Sequence, residues 1–509
     1  MHERASNPRP SCPQSAWLNS ASLPAFPTLQ ANVEVDVVIV GGGITGVTAA
    51  YLLSQAGQRV ALLEASRVLH GATGHTTAKV TAQHNLIYDE LIRHMGVQQA
   101  KRYYEANAQA LSFIRKTVKK HAIACQFEDQ DAYVYAVTDE EARKLDKEWR
   151  AYQTLSIDGD LVGEIPFALP VKQALVMKRQ AQFHPVQYLR RLVQATVDYG
   201  GQIYEGTTAT GIEEAEQPSV VTSDGFRVRG RKVLACTHFP FYDGAGFYFS
   251  RLHAERGYII VGRTQKPFPG GMYISADSPS RSMRSITIAG EPLTLISGEA
   301  HKAGQGEDTV KHYEALEAFA KEVLGLTEIL YRWSNQDLFT LDKVPYIGPL
   351  SSGHKDVLVA TGYMKWGMTT GTAAARILCD LVLERENPAA GLFAPSRFYV
   401  DPSLKNFLSQ NVNVTAHLIE GKFEAPTRQV EDLSDDEGAV VNFHGRRAGA
   451  YRDAGGQLFV VDTTCTHMYC EVNWNHGDRT WDCPCHGSRF SCRGEVVEGP
   501  AKEPLERLY

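Results

Sequence analysis

The sequence has no long hydrophobic run, no surplus of basic residues and no internal repeat. No stretch gives the roughly 18 consecutive apolar residues that a membrane-spanning helix needs, and the N-terminal segment has no apolar core of signal-peptide length. The net charge of −6 supplies no basic surface for phosphates, which argues against a nucleic-acid partner. These absences predict a cytoplasmic protein with no transmembrane segment.

The chain has the composition of an ordinary globular protein, and its pattern of predicted secondary structure changes once along its length. At about 150 residues per domain, 509 residues suggest roughly three domains. Predicted helices and strands alternate up to about residue 390, a Pro-rich stretch follows, and short strands with Gly turns dominate from about residue 427. The segment 427–509 carries nine basic and fourteen acidic residues, so most of the net negative charge lies there.

A glycine-rich turn stands between a predicted strand and a predicted helix. The β-branched run VDVVIV at 35–40 leads into Gly41, Gly43 and Gly46, which have the G-x-G-x-x-G spacing. This context favours a dinucleotide whose pyrophosphate lies at the helix N-terminus. Glu64, at the end of the next predicted strand, can accept hydrogen bonds from ribose hydroxyls and disfavours a 2′-phosphate. The motif alone leaves NAD and FAD open.

Further segments resemble the FAD-dependent oxidoreductases of the D-amino-acid oxidase and glycine oxidase type. The resemblance is carried by DVVIVGGGITGVTAAYLL, HGATGHTTAKVTAQHN, DKVPYIGPL and VLVATGYMKWGMTTGTAAARIL. It implies FAD and an α/β FAD-binding domain, Rossmann-like and of glutathione-reductase type, with an interleaved antiparallel-sheet substrate domain. Besides the first glycine motif, the resemblance assigns FAD-binding positions to Thr76, Thr77, Ala209, Gly362 and Gly367. We expect non-covalent FAD, with a link through His75 as the alternative.

Two pairs of cysteine and histidine stand near the C-terminus. Cys465 and His467 form one pair, and Cys483 and His486 form the other. Two cysteines and two histidines can hold zinc. The complete pattern, CTHMYC and CPCHGS, resembles the Rieske 2Fe-2S proteins, in which two histidines replace two cysteines on one iron. We favour the Rieske interpretation over zinc because the resemblance extends beyond the four ligands.

The Rieske resemblance implies roles for neighbouring residues. It pairs Cys470 with Cys485 in a disulfide, and it places Ser488 where a hydroxyl bonds a cluster sulfur and raises the potential. Phe490 stands where high-potential relatives have tyrosine, so we expect a potential below that of the respiratory proteins. Neutral imidazoles already make reduction easier than four thiolates would.

The two resemblances divide the chain. The predicted parts are a leader (1–30), an FAD-dependent oxidoreductase (31–390), a linker (391–426) and an all-β Rieske domain (427–509). Within the oxidoreductase, we expect FAD-binding parts at about 31–120, 185–245 and 335–390, and substrate-domain parts at about 121–184 and 246–334.

Together these features predict a flavoprotein dehydrogenase with its own electron outlet. It would oxidise a small amine or amino-acid-like substrate at FAD and pass electrons singly through the cluster to an external acceptor, such as a carrier protein. Tyr258, Arg281 and Arg284 are the candidates for binding a substrate carboxylate, and no catalytic residue is assigned. The alternatives are a reductase running in the opposite direction and a non-catalytic redox-sensing or docking protein.

Overall fold

A computed structural model describes residues 13–244, 246–306, 308–397, 403 and 426–509. No helix within these ranges is long and apolar enough to span a bilayer. Residues 1–12 of the predicted leader, and residues 398–402 and 404–425 of the predicted linker, lie outside the described residues. So does nearly all of 403–420, where the sequence pattern also predicts a short helical stretch.

The strands, in chain order, are β1 (Val33–Glu34), β2 (Val37–Val40), β3 (Val60–Leu63), β4 (Lys79–Val80), β5 (Glu128–Ala136), β6 (Gly159–Val162), β7 (Gln173–Gln182), β8 (Gln202–Tyr204), β9 (Ala209–Glu213), β10 (Ser219–Thr222), β11 (Arg227–Arg229), β12 (Lys232–Ala235), β13 (Leu252–Thr264), β14 (Met272–Ser275), β15 (Arg281–Ile288), β16 (Glu291–Lys302), β17 (Leu326–Thr340), β18 (Tyr346–Pro349), β19 (Val357–Thr361), β20 (Glu437–Phe443), β21 (Arg446–Arg452), β22 (Leu458–Val461), β23 (Asn473–Asn475), β24 (Thr480–Asp482), β25 (Arg489–Ser491) and β26 (Val496–Glu498). The helices are α1 (Ala16–Asn19), α2 (Ile44–Gln55), α3 (Tyr88–Met95), α4 (Val97–Lys120), α5 (Asp139–Leu155), α6 (Pro185–Asp198), α7 (Tyr248–Arg251), α8 (Val310–Leu324), α9 (Gly367–Val382) and α10 (Ala390–Phe393). Short 3-10 helices cover Ala72–His75 and Val430–Asp432.

A six-stranded sheet lies at the centre of the dinucleotide-binding part. Its order is β18, β19, β12, β2, β3, β8; all pairs are parallel except β18 with β19. Strand β2 (VVIV) is buried at every position because helices α2, α6 and α9 pack on one face and a small sheet of β1, β11, β10 and β9 packs on the other. The expected strand, glycine turn and helix are present at this point.

A larger sheet lies beside this layer. Its order is β17, β13, β16, β15, β14, β5, β7, β4, with β6 added beside β7. One face, with Tyr258, Ile260 and Met283, packs against α8. The opposite face, with Ile259 and Trp333, packs into the core of the dinucleotide-binding part. Alternation along each strand therefore decides which side chains face the predicted flavin region.

The C-terminal module contains two small antiparallel sheets. Strands β20, β21 and β22 form one, and β23, β24, β25 and β26 form the other. The core between them includes the four cysteines at 465, 470, 483 and 485 together with Trp481 and Phe490. The architecture predicted from the sequence, an α/β dinucleotide-binding fold with an interleaved antiparallel sheet and a small all-β C-terminal module, is confirmed.

The predicted leader differs from expectation where the structure describes it. Residues 1–30 carry five prolines and no sustained periodicity, which predicts irregular chain, but Ala16–Asn19 is a short helix whose Trp17 is fully buried. The indole of Trp17 donates to the carbonyl of Thr76 at 2.7 Å. Likewise, α10 extends into the predicted linker, and Leu392 and Phe393 are buried there. Buried apolar side chains fix both segments to the rest of the protein, whereas their proline content suggests irregular chain.

Candidate cofactor sites

The glycine turn after β2 is shaped by close backbone contacts. A Cβ on Gly41 would lie 2.5 Å from the carbonyl oxygen of Cys236, and one on Gly46 would lie 1.9 Å from the carbonyl oxygen of Gly41. Gly43, the N-cap of α2, has only the Thr73 hydroxyl near its Cβ position, at 3.2 Å. The turn therefore has room for a pyrophosphate at Gly43 while the other two glycines let strand and helix pack.

Glu64 closes the turn from the end of β3. Its carboxylate accepts hydrogen bonds from the amides of Gly42 at 2.7 Å and Ser66 at 2.9 Å. Burial raises the pKa of Glu64, and the nearby Glu205 adds to the effect. The side chain is therefore fixed beside the glycine turn, and its contact with a ribose stays a prediction.

The segment expected beside the flavin is held by donors from three distant elements. The indole of Trp333 donates to His75 O at 2.7 Å, Trp17 donates to Thr76 O, and the guanidinium of Arg284 donates to Ala78 O at 2.6 Å. Three backbone carbonyls in four residues are thus tied to neighbouring structure. Thr76 and Thr77 therefore lie on an anchored segment.

The second glycine turn joins β19 to α9. Gly362 has a φ of +78°, and a Cβ there would lie 2.4 Å from Cγ2 of Thr340. Gly367 is the first residue of α9. Ahead of it, the ring of Trp366 stacks on His84 with centroids 5.0 Å apart. Ala209 lies apart from this turn, on β9 in the small sheet.

The three substrate candidates are engaged elsewhere. The hydroxyl of Tyr258 pairs with His301 Nε2 at 2.9 Å on the α8 face of the large sheet, away from the dinucleotide-binding part. Arg281 pairs with Glu299 at 2.8 Å. The N–H groups of the Arg284 guanidinium donate hydrogen bonds to the backbone carbonyls of Ser285, Ala78 and Phe183. These contacts do not favour binding of a substrate carboxylate by these residues, and that role stays a prediction.

Charged residues that the sequence motifs did not reveal lie on the face that packs toward the dinucleotide-binding part. Lys365, in the second glycine turn, lies 3.7 Å from Glu255 and 3.4 Å from Asp337. Burial raises the pKa of Asp337. Lys79 lies on β4, at the far edge of the same sheet. Burial and the neighbouring Arg284 lower the pKa of Lys79 to about 7. The alternation of residues along β13 and β17 indicates that each strand has two faces. Which of the two faces is buried against the dinucleotide-binding part follows only from the pairing of the strands.

The predicted cluster ligands come from two loops of the C-terminal module. Cys465 and His467 follow β22, and Cys483 and His486 follow β24. The two imidazole rings lie 5.0 Å apart, almost perpendicular to each other. The thiol of Cys483 hydrogen-bonds Cys465, which lowers the pKa of Cys465 and raises that of Cys483. The set is therefore split into a pair of sulfurs and a pair of rings.

The split set fits a two-iron cluster better than one zinc ion. Among the described side chains, Nδ1 of His467 and Nδ1 of His486 are buried and have no hydrogen-bond partner. Buried ring nitrogens without a partner are costly, and metal ligation satisfies them. Four ligands around a single tetrahedral ion would form one compact group. Two thiolates on one iron and two imidazoles on the other match the observed pairs.

A disulfide joins the two ligand loops. Cys470 and Cys485 are bonded at 2.12 Å. Their sulfurs and that of Cys483 form the compact group of metal-ligating atoms found in the described chain, within 4.8 Å of one another. Two of these three sulfurs are in the disulfide, so this group does not hold a metal by itself.

Ser488 lies against the sulfur pair. It is fully buried, its Oγ accepts from the amide of Ala501 at 3.0 Å, and its side chain also hydrogen-bonds Cys465. Phe490 is fully buried in the same core and brings no hydroxyl. The hydrogen bond to Cys465 is the kind that stabilises negative charge on a cluster.

Comparison with known proteins gives two family matches. The model for FAD dependent oxidoreductases matches residues 36–381, and the model for the Rieske [2Fe-2S] domain matches residues 424–508. The Rieske 2Fe-2S iron-sulfur protein YhfW of Bacillus subtilis (strain 168) is 50% identical over 496 residues, which cover 97% of each chain.

More distant similarities concern the oxidoreductase part. Gamma-glutamylputrescine oxidoreductase of Escherichia coli (strain K12) is 23% identical over 371 residues, 70% of this chain and 85% of that protein. The crystal structure of glycine oxidase from Geobacillus kaustophilus superposes with a TM-score of 0.61 at 18% identity, covering 72% of this chain and all of the other. The latter shows a shared fold.

Proposed function

Because the chain belongs to the family of FAD-dependent oxidoreductases and carries a Rieske [2Fe-2S] domain, we propose that it oxidises a small amine or amino-acid-like substrate at FAD. We propose further that the electrons leave singly through the 2Fe-2S cluster to an external acceptor. FAD, when bound, accepts a hydride, and the cluster, when bound, carries one electron at a time.

One observation carries this proposal: the predicted cluster ligands face the oxidoreductase part. The ring of His467 lies 6.0 Å from that of Phe239, and the ring of His486 lies 6.2 Å from that of Phe249. Phe239 lies four residues beyond β12, close to the glycine turn. An arrangement that places the ligands of one redox centre against the domain of the other supports electron transfer between them.

Two observations support an amine substrate. The face of the large sheet that meets the dinucleotide-binding part carries two carboxylates, Glu255 and Asp337, and one ammonium, Lys365. Beside the second glycine turn this local excess of acidic groups favours a cationic amine over a second anion, whereas the basic Lys79 and Arg284 lie toward β4. The names of the gamma-glutamylputrescine oxidoreductase and glycine oxidase relatives contain an amine and an amino acid.

The chemistry balances with a one-electron acceptor. Oxidation of the amine breaks one C–H and one N–H bond and forms the C=N double bond of an imine. Two electrons pass to two equivalents of a one-electron carrier, and two protons pass to solvent. Gly43 and Glu64 would hold the pyrophosphate and ribose of the dinucleotide. The anchored segment with Thr76 and Thr77 would lie along the flavin.

Anaerobic titration tests the proposal. The holoprotein is mixed with a panel of amines and amino acids, flavin absorbance is followed in the visible range, and the reduced cluster is detected by electron paramagnetic resonance. We expect at least one substrate to bleach the flavin and then reduce the cluster. Failure across the panel would favour a redox sensor. If the measured cluster potential lies well below that of the flavin, the reductase direction is correct instead.

We propose in addition the domain boundaries given above, the individual FAD-contacting residues, a cytoplasmic location and a carrier protein as acceptor. Oxidase activity is expected to be weak because the cluster competes with dioxygen for electrons. A stoichiometric yield of hydrogen peroxide would contradict a dehydrogenase.

A further inference from the structure

A buried arginine of the large sheet is clamped between two carboxylates of the C-terminal module. The side chain of Arg256, on β13, is 0% exposed. Its Nε lies 3.4 Å from Asp482, and its Nη2 lies 3.3 Å from Glu498. The same guanidinium donates to Ser334 at 3.0 Å and to Gln336 at 2.8 Å. A buried charge requires such partners, so the two parts of the protein depend on each other here.

Arg256 and the neighbouring Gln336 contact the loops that carry the predicted cluster ligands. Asp482 directly precedes Cys483, and the amide of Gln336 donates to the carbonyl of Gly487, directly after His486, at 2.9 Å. On the other side, a Cβ on Gly304 would lie 2.5 Å from the carbonyl carbon of Cys483. The ligand loops therefore pack against the oxidoreductase without room for a side chain at that point.

A short route leads from this contact to the dinucleotide turn. The ring of Phe239 lies against His467, and Phe239 follows Cys236 by three residues. The carbonyl of Cys236 lies against Gly41. Three residues of chain span at most about 11 Å. The cluster ligand and the glycine turn are thus connected by one short, continuous segment.

We infer that Arg256 is the positioning residue that locks the Rieske domain in place, so that electrons pass from flavin to cluster across this fixed contact without undocking. The inference rests on the proposed function. In each transfer the reduced flavin loses one electron, and one of the two ferric ions of the cluster becomes ferrous. The external acceptor must then approach a surface of the Rieske domain other than the one that faces Phe239 and Phe249.

Substitution of Arg256 tests the inference in the full-length holoprotein. Arg256→Met removes the charge, and Arg256→Lys keeps it without the planar fork. Arg263→Met is the control, because Arg263 lies on the same strand but pairs with the exposed Glu291 and Glu328. The double variant Arg256→Met, Glu498→Gln removes one charge of each sign and serves if the single variant does not fold.

Two readouts are measured. Docking is followed by hydrogen exchange at the amide of Gly477, which donates across the contact to Thr309 Oγ1 at 2.8 Å. Electron transfer is followed by photoreducing the flavin without substrate and timing the reduction of the cluster. In Arg256→Met we expect both exchange to speed up and transfer to slow down by about tenfold or more, with Arg256→Lys in between and Arg263→Met unchanged.

Other patterns overturn the inference. If Arg256→Met leaves exchange at Gly477 unchanged, Arg256 does not lock the domain. If exchange accelerates while transfer keeps its wild-type rate, the docked contact is not the route. Transfer in the wild type that slows in proportion to solvent viscosity would show that the domain must move.

The proposed function fails separately. If the photoreduced wild-type flavin never reduces the cluster, the proposed direction of electron flow is wrong. The hydrogen-exchange comparison still tests the role of Arg256 as a lock in that case. If photoreduction succeeds but no amine reduces the flavin, only the substrate class is wrong.

Discussion

The α-carbon of Gly46 faces the carbonyl oxygen of Gly41 so closely that a Cβ would lie 1.9 Å from that oxygen. Gly46→Ala should therefore push α2 away from the turn and weaken FAD binding by about tenfold or more, since overpacking costs about 1–3 kcal/mol. Flavin released by acid, measured per mole of protein, checks this. Gly163→Ala is the control because nothing lies within 4 Å of its Cβ position. A full flavin content in Gly46→Ala would contradict the prediction.

The cluster potential should follow the hydrogen bonds to its sulfurs. Ser488→Ala removes the bond to Cys465 and should lower the potential, because the reduced cluster carries more negative charge. One hydrogen bond worth about 1 kcal/mol corresponds to a shift on the order of 40 mV. Potentiometry monitored by electron paramagnetic resonance measures the change. A potential that stays at the wild-type value would exclude Ser488 from this role.

Phe490→Tyr should act in the opposite direction. The ring is fully buried in the core that contains the four cysteines, so an added hydroxyl is placed near the cluster. We expect the potential to rise, by an amount on the order of 40 mV for one new bond. Phe443→Tyr is the matched control, because Phe443 packs in the separate core of the three-stranded sheet. If both variants leave the potential unchanged, Phe490 does not set it.

The disulfide predicts that alkylation before reduction labels fewer cysteine thiols than alkylation after it. Eight of the nine cysteines lie in the described part of the chain, where Cys470 is bonded to Cys485 and the other six are thiols, so reduction of the denatured, metal-free protein should add two alkyl groups. Mass spectrometry of the chain alkylated before and after reduction measures this difference. Nine groups without reduction would show that Cys470 and Cys485 are thiols. The variant with both replaced by alanine should lose its cluster faster, because the two ligand loops are no longer joined.

Acid should destabilise the protein partly through His84. Burial lowers the pKa of His84 to about 3, from an ordinary 6.5. The unfolded chain therefore takes up this proton first, and stability is lost as pH falls from 6.5 toward 3, by about 1.4 kcal/mol per pH unit for one proton. The thermal unfolding midpoint of His84→Gln should fall less steeply with acid than that of the wild type. The exposed His444→Gln should match the wild type.

Local motifs are the part of this protein that the sequence predicts most directly. Gly41, Gly43 and Gly46 stand between one strand and the following helix, and the four cluster ligands fall within 22 residues of chain. Residues so close in sequence have few ways to be arranged, and their spacing nearly specifies the geometry. The pairing of Cys470 with Cys485 was implied by the resemblance to the Rieske proteins, and the structure joins these two residues, which are 15 positions apart.

The substrate candidates show where such reasoning ends. Tyr258 and Gly257 are neighbours in sequence, yet Tyr258 packs under α8, whereas Gly257 faces Lys365. A strand presents alternate residues to opposite faces, and the sequence does not state which face meets the flavin. Asp337 and Glu255 were missed because their strands are about 80 residues apart and meet only when β13 pairs with β17.

The sequence by itself determined the strand, glycine turn and helix and the two cysteine and histidine pairs, because these depend on short-range spacing and hydrophobic alternation. The resemblance of these motifs to known families implied FAD, the 2Fe-2S cluster and the fold class. Only the tertiary structure decided how the two redox modules meet. Arg256 and Glu498 are 242 residues apart, and their pairing depends on the docking of two separately patterned surfaces. Burial then makes partners of opposite charge necessary: Arg256 has Glu498 and Asp482, and Glu498 also lies 3.5 Å from Arg489.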